Sequence, residues 1–244
     1  SLGYLTMTRL TGVGILLAGL AAAAGIRQPS AGSPQPTGGA PAPVDGTLSL
    51  SLWQSLKTRS FWLLWFTNAF VGAAGIAMVT LAIPFGTARG MDRADAVLLL
   101  MAFNITNGIS RLVSGFFSDM IGRKRIMGSA FFLAGCAYFM FPHLKGPAAL
   151  ALPAAVVGFA FGTLFAVSAP FVSDCFGMAH FGSIFGLVFT AFGFFSGALG
   201  PWLSGYLLDS SGGNFTPVFL YLGGLMFVSS LLILIATPYT ECKL

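Results

Sequence analysis

Seven stretches of this chain run through apolar residues for the length a lipid bilayer demands: Tyr4–Ile26, Phe61–Phe85, Ala94–Ser118, Ile126–Phe141, Ala148–Phe171, Phe181–Leu207 and Phe215–Thr237. A hydrocarbon core about 30 Å thick is crossed by a helix of about 20 apolar residues. Lipid offers no partner to a backbone N–H or C=O, so each stretch must satisfy its own polar groups as a helix. Composition agrees, with 8% of residues charged where a soluble domain carries about 25%. The chain therefore reads as an all-α integral membrane protein with the bilayer as its first partner. Its net charge of +5 is loop charge. No basic stripe with interleaved aromatics lies outside the apolar runs, which excludes nucleic acid as a partner.

Between the first two runs lies "RQPSAGSPQPTGGAPAPVDG", too rich in Pro, Gly and Ser to hold a helix or bury surface. The reading is a helix over 1–26, a flexible linker over 27–51 and a six-helix unit over 52–244. "SLWQSLKTRS" at the start of that unit is expected to form a short helix at the membrane surface. With the linker on the cytoplasmic side, that side gathers Arg27, Lys57, Arg59, Arg123, Lys124, Arg125 and Lys243, against Arg9, Arg89, Arg93 and Lys145 outside. The excess sets the orientation. The glycine pairs Gly158/Gly162, Gly182/Gly186 and Gly193/Gly197 have the spacing that lets helices approach closely in lipid, and packing is the first expectation for each.

One charge breaks the pattern. Arg111 lies twelve residues before Arg123, about 18 Å along a helix that begins its exit from the membrane there. That is near the bilayer midplane, beyond the reach of snorkelling. A guanidinium at that depth costs about 3 kcal/mol or more unless it faces water or a partner. The acidic residues Asp45, Asp92, Asp95, Asp119, Asp174, Asp209 and Glu241 all fall in loops or at span ends, so none neutralises it. Asn104, Asn107, Ser114, Gly115 and Ser118 share its helix face at i, i+3, i+4 spacing, a stripe expected to line a watery cavity. Arg111 is thus the candidate anchor for an anionic substrate, since guanidinium pairs with carboxylate through two parallel hydrogen bonds. The competing reading is a buried ion pair with a carboxylate on another segment.

"GFFSDMIGRKR" resembles the G-x-x-x-D-x-x-G-R-K/R motif of the major facilitator superfamily, with Gly115, Asp119, Gly122, Arg123 and Lys124 at the matching positions. In that superfamily the motif helps to lock one conformation through charge contacts at the cytoplasmic face. "SLWQSLKTRSFWLLWFTNAFVGAAGI", "FNITNGISRLVSGFFSDMIGRK", "FGSIFGLVFTAFGFFSGALGP" and "GYLLDSSGGNFTPVF" resemble helices seven, eight, eleven and the passage to twelve of the oxalate/formate antiporter family, over about residues 50–237. The resemblance implies the carboxyl-terminal six-helix half of a twelve-helix carrier, preceded by its sixth helix.

It also implies that Arg111, with Asn107, Asn104 and Phe192 nearby, binds the substrate. Related monocarboxylate carriers place a proton-coupling aspartate where Asn107 stands, so that pair is absent. Oxalate carriers place a lysine where Phe192 stands in "TAFG". One cation suits a monovalent carboxylate such as formate, lactate or pyruvate better than a dianion, whose second charge would go unpaired in a medium of low dielectric. Phe192 reads equally well as a packing aromatic. Antiport of small carboxylates by alternating access is the function implied, with the missing amino-terminal half or a second copy supplying the opposing wall. The alternative is a receptor or regulatory half-protein that binds without transporting. No span presents a nucleophile beside a base or a metal-ligand cluster, and neither an enzyme nor a cofactor is expected.

Overall fold

The computed structural model describes residues 49–237 and, before them, Thr6, Arg9, Gly12, Val13, Gly14, Leu17 and Leu20. The chain divides into two units, Ser1–Gly46 and Thr47–Leu244. The described residues of the first unit are helical and exposed. The rest of the expected Tyr4–Ile26 span lies outside the described residues, as does the expected linker up to residue 48.

The second unit starts with the short helix α1 (Leu52–Leu56). A capping box closes its first turn: Ser51 N–H donates to Gln54 Oε1 at 2.9 Å, and Gln54 N–H to Ser51 Oγ at 3.4 Å. Six helices long and apolar enough to cross a membrane follow: α2 (Arg59–Ala88), α3 (Arg93–Ile121), α4 (Arg123–Met140, continued by a 3-10 turn over Phe141–His143), α5 (Pro147–Phe176), α6 (Phe181–Ser210) and α7 (Thr216–Ile235). Each expected span after the linker is present. Side chains mark several starts: Thr58 caps α2 by accepting from Phe61 N–H, and Asp92 caps α3 by accepting from Asp95 N–H at 2.7 Å. Connections of a few residues force neighbouring spans antiparallel, so the ends of α3, α5 and α7 share one end of the bundle with the starts of α2, α4 and α6.

Apolar character all round directs a helix to the interior, and α2 and α5 take it. In their most apolar windows 67% and 61% of residues are buried, against 22% in both α3 and α6. Within lipid, burying apolar side chains gives no preference for helix over lipid, so close fit and interhelical hydrogen bonds hold the bundle. The α4–α7 contact uses small residues as seats. An added Cβ at Gly128 would come within 2.8 Å of Leu234, one at Gly135 within 2.9 Å of Phe227, and one at Gly223 within 2.8 Å of Phe139. Hydroxyls add cross-links. Tyr138 donates from α4 to Ala74 O on α2 (2.6 Å), Ser230 from α7 to Gly128 O on α4 (2.8 Å) and Tyr221 from α7 to Leu199 O on α6 (2.6 Å). Each such bond between membrane helices contributes about 0.6 kcal/mol.

The one irregular span is α6, expected as a plain helix over Phe181–Leu207. Two π turns, Ala191–Phe195 and Ala198–Trp202, interrupt it. They coincide with its contact to α2. Phe192 seats on Gly72, Ser196 donates to Ala69 O at 2.9 Å, and Gly200 lies against Ala73 O so closely that a Cβ would overlap it. Pro201, with no N–H to give, falls in the second turn.

Candidate functional site

Helix α3 meets α5 along a seam of glycines on α5. A Cβ on Gly158 would overlap the carbonyl of Phe103, and one on Gly162 would overlap Ser110 Oγ and the carbonyl of Asn107. Thr106 Oγ1 donates across the seam to Ala155 O at 2.7 Å. Backbones held this close fix the register of α3 against α5, and with it the place of the charge.

Arg111 lies eighteen residues into α3 and ten before its end (111 − 93 and 121 − 111), about 27 Å and 15 Å along the axis. Its side chain is exposed in this six-span unit. The guanidinium carbon sits 5.0 Å above the ring of Phe165 on α5, an attraction of about 0.5–2 kcal/mol. The ion pairs found among the described residues both involve Arg123, so no described carboxylate neutralises Arg111.

Asn107, one turn earlier, turns its side chain into the seam, where its Oδ1 is buried and accepts no hydrogen bond. Asn104 is exposed, and its amide donates back to Leu100 O at 2.9 Å. Phe192 is one ring removed from the cation: its centroid lies 5.3 Å from that of Phe165, with Phe161 at 6.2 Å and Phe189 at 5.4 Å. It packs on Gly72 and belongs to the aromatic group beneath Arg111 at once.

The polar stripe divides. Asn104, Asn107, Arg111 and Gly115 are exposed or half-buried, whereas Ser114 and Ser118 are buried with hydroxyls donating to Ser110 O and Gly115 O of their own helix. An open polar face is therefore confined to the Asn104–Arg111 stretch, because a serine hydroxyl in an apolar setting is satisfied by the carbonyl one turn back.

At the end of α3 a single residue, Gly122, separates it from α4. Its φ of 102° lies where a side chain would be strained, which accounts for glycine at this corner. Asp119 and Arg123 face each other across it at 3.5 Å. Arg123 reaches further, to Asp174 Oδ2 on α5 at 2.7 Å, without the alignment of a hydrogen bond. Lys124 is half-buried beside it, and Gly115 has open space where a Cβ would stand. Three spans are thus tied at one end by a guanidinium between two carboxylates.

Two residues of this arrangement escaped the sequence. The fifth apolar stretch ends at Phe171, short of Asp174, whereas α5 continues to Phe176 and carries Asp174 to Arg123. Its position on the same side as the G-R-K cluster was the available signal. Phe165 is one phenylalanine among 25, and only the α3–α5 register singles it out.

Comparison with known proteins bears on the whole chain. The family model described as Major Facilitator Superfamily matches residues 1–194 and 70–241. The Oxalate:formate antiporter of Oxalobacter formigenes is 29% identical over 140 residues, covering 57% of this chain and 34% of that protein. An MFS-type transporter of Gibberella moniliformis (strain M3125 / FGSC 7600) is 25% identical over 165 residues, covering 66% of this chain and 39% of that protein. The matched stretches thus amount to little more than a third of these relatives' length. With six membrane-spanning helices among its described residues and a family match over most of its length, the chain belongs to the major facilitator superfamily as a multi-pass integral membrane protein.

Proposed function

We propose that this chain is the carboxyl-terminal half of a secondary transporter that exchanges small monocarboxylate anions. The observation that carries the reading is Arg111: a permanent cation deep in a span, paired with no described carboxylate, on the open polar face of its helix. A carboxylate accepting two N–H bonds from the guanidinium would supply the missing charge. The ring of Phe165 holds the guanidinium from the opposite face, so the fork stays aimed. The aromatic group of Phe165, Phe189 and Phe192 offers a wall to a small apolar tail and no donor to a second carboxylate, which disfavours a dianion. The relative that acts on oxalate and formate supports the carboxylate class.

Alternating access requires an opposing wall. The open faces of α3 and α6 point to a second six-span half, from further residues of a longer chain or from a second copy. Arg123, with Asp119 and Asp174, binds α3, α4 and α5 into one body at the cytoplasmic end, so that this half rocks as a unit. Asp119 is the weaker arm, being farther and more exposed.

The test is counterflow of labelled formate and lactate in liposomes holding the protein with its complementary half, or the chain alone if it self-associates. Wild type should exchange label, Arg111→Gln should fall to background at unchanged membrane level, and Arg111→Lys should retain a small fraction because a point charge lacks the fork. Unchanged exchange in Arg111→Gln overturns the reading. Tight carboxylate binding without exchange by the assembled protein would favour the receptor instead.

A further inference from the structure

On the flank of the α3–α5 seam away from Arg111 lies a groove of about 360 Å³ between α3, α4 and α5, walled by Phe117, Ile126, Leu133 and Phe159 among others. Val113 of its wall is two residues from Arg111, about 200° round the helix, so the groove does not communicate with the candidate substrate site. Hydroxyls in its wall are already engaged: Thr106 donates to Ala155 O, Ser114 to Ser110 O and Ser129 to Ile126 O. Their donors are thus spent, leaving a wall that favours an apolar occupant.

Along α3 the groove extends from Phe117 to Thr106 (117 − 106 = 11 residues), about 16 Å. That is half of a hydrocarbon core about 30 Å thick, the length of one acyl chain, and it runs inward past the level of Arg111. Its Phe117–Ile126 end is the one toward the Arg123 end of the bundle. Arg125 stands there, exposed, one turn before Ser129 on the face of α4 that lines the groove, and has no ion-pair partner among the described residues. Side chains in a helix lean toward its N-terminus, which sends this guanidinium out to headgroup level. The first turn of α4 adds to the field, since Gly122 supplies no side-chain cap to its N–H groups.

We propose that this groove binds one acyl chain of an anionic phospholipid of the cytoplasmic leaflet, its phosphate held by Arg125. An apolar slot of acyl-chain length between spans of a membrane protein is filled by lipid tail, and tails alone carry no preference. Selection among lipids therefore rests with the headgroup, where one arginine near the surface favours an anion about fivefold.

The probe is dioleoyl phosphatidylglycerol against dioleoyl phosphatidylcholine, titrated onto the full chain in mild detergent and followed by native mass spectrometry. Wild type should retain one phosphatidylglycerol with about fivefold preference. Arg125→Gln, an exposed change that leaves the fold intact, should bring that preference close to one, while Lys57→Gln at the same end leaves it unchanged. Ser129→Trp, which fills the groove from its rim, should reduce retention of both lipids. Equal retention of the two lipids by wild type overturns the proposal, as does an equal effect of Lys57→Gln and Arg125→Gln. Undiminished retention in Ser129→Trp overturns the groove, and a dimer bound in place of lipid assigns the face to a second copy.

Discussion

Helices α5 and α6 carry glycines at the same four-residue spacing and use them in opposite ways. Gly158 and Gly162 of α5 seat the backbone of α3 so closely that no Cβ fits. Gly182, Gly186, Gly193 and Gly197 of α6 have nothing within 4 Å of where a Cβ would stand. The packed face of α6 is the other one, where Phe192, Ser196 and Gly200 meet α2. Small-residue spacing states a capacity for close approach; the neighbour decides whether it is used. On α5 the neighbour is within this unit. On α6, as on the exposed side of α3, the glycines and Arg111 leave an open face on this six-span unit.

The largest expected effect separates the two helices by stability. Gly162→Leu forces the α3–α5 seam apart and should cost about 3 kcal/mol. Gly186→Leu should stay within about 0.5 kcal/mol. Thermal unfolding in detergent, read by tryptophan fluorescence, compares them, and equal losses would abolish the distinction between a filled and an open face.

Function should rank them the other way. If the open face of α6 is a wall of the transport pathway or docks the opposing half, Gly193→Leu should reduce counterflow at least tenfold with thermal stability unchanged. Normal counterflow would assign that face to lipid.

A smaller effect concerns the helix ends. Asp174 ties the end of α5 to Arg123 at 2.7 Å, whereas Asp209, the end carboxylate of α6, forms no ion pair among the described residues. With Asp174 nearly half exposed, Asp174→Asn should cost at most about 1 kcal/mol, and Asp209→Asn less than about 0.5 kcal/mol. The same substitutions measured for transport should rank in the same order, Asp174→Asn lowering counterflow and Asp209→Asn leaving it near wild type.

The six spans were legible because length and apolarity alone demand helices in lipid. Their ends were not: Ile126–Phe141 is Arg123–Met140 and Ala148–Phe171 is Pro147–Phe176, because terminal turns carry charge beyond the hydrocarbon while their hydrogen bonding continues. Arg111 was legible as the single charge in a long apolar run. Its neighbour Phe165 depends on which turn of α5 the glycine seam places opposite, a relation between distant segments. The π turns of α6 were invisible for the same reason, since their extra residue answers to the surface of α2. Spacing puts Ser114 and Ser118 on a stripe expected to line a watery cavity, yet both are buried and Ser114 borders an apolar groove, since spacing reports a face and not what covers it.

The smallest effect is the sharpest version of the comparison, because one substitution should change sign between the helices. Glycine within a helix is less stable than alanine by about 0.5–1 kcal/mol wherever the methyl has room. At Gly186 it has room, so Gly186→Ala should raise the stability of the isolated unit by about that amount. At Gly158 the methyl meets the carbonyl of Phe103, which belongs to backbone and cannot swing aside, so Gly158→Ala should lower it. A gain at Gly186 accompanied by weaker assembly with the opposing half would mean that the open face closes in the working transporter as tightly as the α3–α5 seam does here. A gain without that weakening would mean that the pathway keeps its glycines apart, with water or substrate between.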